Sequence, residues 1–227
     1  VLDTSRRTDQ ATARQIVGIV AGAGALAALD GFPVAYPGHV TAPVTVRSAR
    51  PTDAAFAVPL IQTTIGPVGR ALTGAASDHE AGRVLLGCFA RSGHRLSFEN
   101  TWIAERAGQA LGVLVAYAGS DAPALDAAYR ARRRSLGLSA DVASEGRPGE
   151  WYVDTLAVSE PARGQGIGAR LLHEAAAQAR ERGLDRMGLL VEEGSRAAAL
   201  YRREGFRVAG ERTLGEHRYR HMVRPLP

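Results

Sequence analysis

Glu150-Trp-Tyr-Val-Asp-Thr-Leu-Ala-Val-Ser-Glu-Pro-Ala-Arg-Gly-Gln-Gly-Ile-Gly-Ala-Arg170 joins a strand, a turn and a helix start in one run. Trp151 to Val158 is apolar enough to be a buried strand, and a glycine-rich turn follows it. Leu171, Leu172, Ala175, Ala176 and Ala179 then recur at helical spacing until Gly183 ends the helix. Glycines at 164, 166 and 168 leave backbone N–H groups uncovered where that helix begins. A helix start carries partial positive charge and unpaired donors, which suits a phosphate. The run therefore predicts a site for a phosphate-bearing ligand.

The whole chain sets bounds on that site. Its 227 residues suffice for one large domain, or a medium domain with an extension, and 45% hydrophobic with 22% charged residues is ordinary globular composition. All 28 basic residues are arginine, and the net charge of +5 favours a ligand with several phosphates. The arginines are scattered and aromatics make up 6%, so nucleic acid is not the expected partner. A single cysteine, Cys88, excludes an internal disulfide and a cysteine-only metal site, and it reads as a small core residue. Ile16 to Leu29 is apolar but too short to span a bilayer, so no membrane association is expected and the cytoplasm is the default location.

Taken in order, residues 1–43 read as an N-terminal extension and linker, partly helical, with Gly31, Pro33, Pro37 and Gly38 breaking regular structure. The domain proper is expected over 44–227. A strand at Val44–Arg50 leads to a helix through Ile61, and a second helix spans Asp78 to Ala90, capped by Ser77 or Asp78. Asn100 to Tyr117 reads as a hairpin turning near Ala107-Gly108. Residues 120–149 differ in character and read as an insert. Its helix, Ala124 to Leu136, carries Arg130, Arg132, Arg133 and Arg134 as a solvated face, or as a rim over an acidic ligand. A short strand at Met187–Val191, a helix from Ser195 to Arg203 and two last strands complete the chain.

Gly164-Gln-Gly166-Ile-Gly168-Ala169 formally fits the dinucleotide fingerprint G-x-G-x-x-A. Two facts argue against it. Only 34 residues follow Glu193, too few for the further βα units such a fold needs, and Ser159 to Arg163 separates the strand from its glycines. A better fit takes two regions together. Arg163-Gly-Gln-Gly166-Ile-Gly168 matches R/Q-x-x-G-x-G/A, and Ala197-Ala-Ala-Leu200-Tyr201-Arg-Arg-Glu-Gly205-Phe206 matches A-x-x-L-Y-x-x-x-G-F. In order and spacing the two resemble the GNAT superfamily of acyl-CoA-dependent N-acyltransferases. The resemblance is specific over about 150–206, and the element order fits it from about 44 to 225.

That resemblance implies an α/β (α+β) fold with a mixed, mostly antiparallel central sheet flanked by helices. It implies acetyl-CoA as the acyl donor, with no metal. The cofactor's pyrophosphate would rest on the amides of Gly164, Gln165, Gly166, Ile167, Gly168 and Ala169, beside Arg163 and Arg170. Its pantetheine would pair with the strand edge at Leu156, Ala157 and Val158. Tyr201 maps onto the family tyrosine that protonates the departing thiolate and also touches the cofactor. A phenol's reference pKa lies above that of a thiol.

The implied reaction is attack of a neutral amine on the thioester. An alkyl amine is largely protonated at pH 7, so a base is wanted, and Glu150 and Asp154 are the carboxylates on the strand. In a regular strand they share a face, and a bulge would change that parity. The position seven before the motif tyrosine, commonly Asn in the family, is Gly194 here, with Ser195 next to it as substitute or helix cap. His217 and His221 would stand about 13 Å apart along one strand. Both, with His173, read as surface residues. The expected acceptor is the primary amine of a small molecule, and a homodimer is compatible with the sequence. The competing reading is a non-catalytic acyl-CoA-binding or sensing module.

Overall fold

The computed structural model describes residues 42–214 and 217–227. The expected extension, up to its last two residues, lies outside the described residues. Seven strands form one sheet there: β1 (Thr45–Ser48), β2 (Thr101–Arg106), β3 (Gln109–Ala118), β4 (Trp151–Val158), β5 (Arg186–Glu192), β6 (Arg207–Leu214) and β7 (His217–Pro225). Their order is β1-β2-β3-β4-β5-β7-β6. Only the β4–β5 pair is parallel, so the sheet is the mixed, mostly antiparallel one that the sequence predicts.

The helices lie on both faces. On one, α6 (Ile167–Glu181) buries Ile167, Leu171, Leu172, Ala175, Ala176 and Ala179 against Trp102, Leu114, Trp151 and Leu189. The predicted period is the observed contact face, and Gly183 (φ +70°) ends the helix as expected. On the other face, α1 (Ala54–Ile65), α2 (Pro67–Thr73) and α3 (Asp78–Phe89) cover β2 and β3 through Ile61, Leu72, Leu85, Phe89, Ile103 and Val113. Ser77 Oγ accepts from the Glu80 amide and caps α3. The sequence reading missed α2, because Gly66-Pro67 looks like a simple break. Gly66 does end α1, and Pro67 at once starts a new helix, where its missing N–H costs nothing.

The insert is not a single helix. It divides at Asp126 into α4 (Ala122–Leu125) and α5 (Ala127–Ser135), and 136–150 then runs as loop and turn. Its arginines are not a solvated face. Arg132 Nε donates to the Thr73 carbonyl at 2.8 Å, Arg133 to Ala71 and Ser139 carbonyls, and Arg130 to Pro123 at 2.7 Å and Ser144 at 3.1 Å. They tie α5 to α2 and to its own loop, and Arg134 alone of the four is exposed. α7 (Ala197–Arg203) sits between β5 and β6, and its Tyr201 packs edge-on to Phe206 with ring centroids 5.8 Å apart.

β4 and β5 pair over only three residues, Trp151–Val153 with Met187–Leu189. Beyond them the strands part, while β4 keeps its pairing with β3 to Val158 and β5 keeps β7 to Glu192. The parting begins at a β-bulge. Val115 pairs with Thr155 and Ala116 with Val153, leaving Asp154 as the extra residue. A bulge bends its strand and increases its twist, which turns the second half of β4 away from β5.

The two ends of the insert meet where it leaves and rejoins the sheet. The Gly119 amide donates to the Glu150 carbonyl at 2.8 Å, and a Cβ on Gly119 would collide with the Arg147 backbone. Backbone cannot yield as a side chain tip can. Gly119→Ala should therefore cost about 1–3 kcal/mol in urea unfolding, whereas Gly108→Ala, at an open hairpin turn, should cost less than Gly119→Ala.

Candidate functional site

The gap between β4 and β5 gathers three predicted groups. The first is the exposed edge of β4, where Leu156, Ala157 and Val158 are half-buried and have no β5 partner. The second is the loop into α6. Among the described residues the amides of Gly164 through Ala169 donate to no backbone acceptor. Gly164 and Gly166 both have φ near +76°, a conformation that L side chains resist, so glycine is required for the turn itself. Gly168 serves a different purpose. A Cβ there would stand 3.0 Å from Leu200 Cδ2 and 4.0 Å from Leu156 Cδ2, so it lets α6, α7 and β4 converge. The third group, Tyr201, follows Leu200 in α7 and packs its ring on Phe206.

The side chains around the loop are distributed differently from expectation. Ile167 is buried in the core, so only its amide faces the loop. Arg163 is exposed, with Nε on the Val158 carbonyl at 3.3 Å. Arg170 Nη1 donates to the Val44 carbonyl at 3.1 Å, which directs this cation to the β1 side of α6. Gln165 is held between Pro161 and Arg106. Ser195 Oγ accepts from the Ala197 amide at 3.3 Å, and Gly194 (φ +83°) shapes the turn before it. Ser195 therefore braces the turn into α7, whose cap position is Arg196.

Tyr201 is 8% exposed, and burial pushes its phenol up to about 12. It holds its proton throughout the neutral range. Relative to a free thiol near 8.5, such a phenol gives the proton up only against about 5 kcal/mol. Such a phenol is better suited to donating a hydrogen bond than to giving up its proton.

The two strand carboxylates have distinct surroundings. Trp151 and Val153 face α6, so Glu150, Tyr152 and Asp154 lie on the opposite face, where the bulge adds Thr155. Asp154, 1% exposed in its side chain, is crowded with donors. Arg95 Nε stands 3.1 Å away, the Tyr117 hydroxyl donates at 2.8 Å and the Thr155 hydroxyl at 3.0 Å. Burial, aided by Glu145, raises its pKa despite Arg95. Arg95 is itself buried and also meets Glu145 at 2.8 Å and Asp126 at 3.5 Å. Burial works to raise Glu145 as well, but Arg95, Tyr152 and Arg212 together hold it below the usual range.

Glu150 is simpler. Its Oε2 shares a hydrogen bond with His221 Nε2 at 2.9 Å, and that is its one side-chain hydrogen bond among the described residues. His221 is 2% exposed with Nδ1 unpartnered, so the surface reading of this histidine is wrong. Its neighbour Met222 faces α6, and alternation turns His221 to the Glu150 side. His217 and His173 are exposed, as expected, and pair with Glu192 and Glu204. Sequence reasoning missed Arg95, Tyr117, Tyr152 and His221. Arg95 gives no local signal, since its partners lie 31 to 59 residues downstream. Among the described residues no cluster of three or more His, Cys, Asp or Glu is placed to hold a metal. No helix there is long and apolar enough to cross a membrane.

Comparison with known proteins agrees with this geometry. The family model described as Acetyltransferase (GNAT) family matches residues 75–206. A crystal structure described as an acetyltransferase is 28% identical, covering 81% of this chain and 100% of its own, with a TM-score of 0.66. An N-acetyltransferase from Staphylococcus aureus Mu50 is 19% identical over 79% of this chain and 99% of its own, with a TM-score of 0.65. Ard1 from Thermoplasma volcanium, 19% identical over 81% and 98%, has a TM-score of 0.52. The last two are similar in fold alone. No curated protein sequence matches the chain.

Removing the Arg95 cation would leave buried carboxylates facing one another. Arg95→Met should lower stability by about 3–5 kcal/mol at neutral pH in urea unfolding. The carboxylates of that variant take up protons more readily folded than unfolded. Its deficit should therefore shrink as pH falls toward about 4, near their reference values.

Proposed function

The chain belongs to the GNAT acetyltransferase family, and from that premise we propose that it transfers an acetyl group from acetyl-CoA to the primary amine of a small molecule. The observation that carries this reading is the parting of β4 from β5 beside the free amides of Gly164–Ala169. An extended pantetheine could add to the β4 edge at Leu156–Val158, and its pyrophosphate could meet the amides at the start of α6. Bound there, acetyl-CoA supplies an activated thioester, and the chain's residues bind it, orient it and manage protons.

We assign the base to Glu150. Its second oxygen has no protein donor among the described residues, whereas three groups crowd the Asp154 carboxylate. His221 would keep Glu150 oriented while the free oxygen takes the amine proton, directly or through water. Asp154, fixed by Arg95, would act in support of the bulge. Tyr201, protonated and beside the convergence of Gly168 and Leu200, would donate to the departing sulfur. The domain is proposed to extend over 44–227, with 120–149 as an insert near the acceptor side.

Millimolar acetyl-CoA should raise Tm, and an amine panel assayed for CoA release should reveal turnover. Tyr201→Phe should then lower kcat by about 10²–10⁴ with cofactor affinity retained, and Glu150→Gln should lower kcat and flatten the acidic limb of its pH profile. Absence of any Tm rise would end the acyl-CoA reading. Turnover lost in Asp154→Asn but intact in Glu150→Gln would move the base.

A further inference from the structure

A second concave site lies away from the β4/β5 gap, between α3 and α5. It encloses about 450 Å³, and its wall includes Arg83, Arg91 and Arg132 beside Val84, Ala128 and Tyr129. Among the described residues no Asp or Glu lines it. Arg83 and Arg91 make no side-chain hydrogen bond or ion pair there, and Arg132 spends only Nε, on Thr73. Three guanidiniums around one hollow repel one another unless an anion joins them.

Polar groups deeper in the wall are also left open. Tyr129 is 1% exposed, and its hydroxyl faces only the Cys88 thiol, a weak partner, without a hydrogen bond of ordinary geometry. His94, whose ring lies 5.8 Å from that of Tyr129, likewise has its buried Nδ1 unpartnered. Buried polar atoms are ordinarily satisfied, so an orphaned ring nitrogen and a hydroxyl left with a thiol, beside an arginine-lined hollow, point to a ligand. Cys88, expected to be a plain core residue, is half-buried on the same wall, and burial raises its thiol above the usual value. It is therefore a neutral wall group here. The same burial, with Arg91 adding to it, lowers His94, which stays neutral near pH 7.

We propose that the α3/α5 cavity binds a small organic oxyanion, a carboxylate or a phosphate ester with a compact apolar body. The guanidiniums of Arg83, Arg91 and Arg132 hold the charged oxygens. Val84 and Ala128 receive the body, and the Tyr129 hydroxyl donates to an acceptor on the same molecule. An ammonium would be repelled there, so the cavity is no site for the amine of the acetyl transfer. The inference does not depend on the identity of that reaction.

Calorimetric titration of the full chain with benzoate and with phenyl phosphate, at low salt, tests the proposal and separates the two oxyanions. At least one should bind, and saturating CoA should leave that binding in place. The double variant Arg83→Gln, Arg91→Gln should weaken it by about tenfold or more. Tyr129→Phe should weaken it while leaving the Tm of the unliganded protein nearly unchanged, because the lost hydroxyl has only a thiol beside it. A merely structural tyrosine would lower Tm instead. No binding of either probe, full binding by the double variant, or displacement by CoA would each overturn the site.

Discussion

Arg95 is the group that ties the parts of this domain together. It sits in the turn before β2, yet its guanidinium meets Asp154 on β4, Glu145 in the insert loop and Asp126 between α4 and α5. A buried charge is tolerated only when paired and hydrogen-bonded, so four separate segments must arrive together for any of them to be stable. Tyr117 and Tyr152 close the arrangement from the sheet, one on Asp154 and one on Glu145. The insert is thereby part of the fold's polar interior, and Arg212 on β6 fastens it again at the Ser144 and Glu145 carbonyls.

The same charge cluster fixes the bulge. Asp154 is the unpaired residue of β4, and three donors hold its side chain on the face away from α6. With that position held, β4 bends and the gap to β5 opens. The gap beside the Gly164–Ala169 loop therefore rests on an irregularity stabilised by buried electrostatics.

Most of the architecture was legible in the sequence because it depends on local patterns. The α6 period, the Ser77 cap, the Ala107-Gly108 hairpin and the strand at 151–158 each need only neighbours in the chain. The helix starting at Pro67 was hidden by its own first residue, which reads as a breaker and acts as a starter. The site was half legible. Tyr201 and the glycine turn could be singled out because each lies in a short motif, and the two carboxylates because they stand on the strand that leads into the turn. What surrounds the carboxylates came from Arg95 and His221, placed there by long-range pairing that no window of sequence contains. Arg170 shows the converse: adjacency to the loop suggested a phosphate contact, but its side chain leaves the helix toward Val44.

Gly168 has one more implication. It faces Leu200 across the junction of α6 and α7, so the two halves of the family signature touch each other. Residues from separate motifs that share one small volume cannot drift independently. Enlargement at 168 would press on the Leu200 side chain, and because Leu200 precedes Tyr201, a shift there would also move the phenol. The two motifs thus form a single steric unit, in which a change at one position is felt at the other.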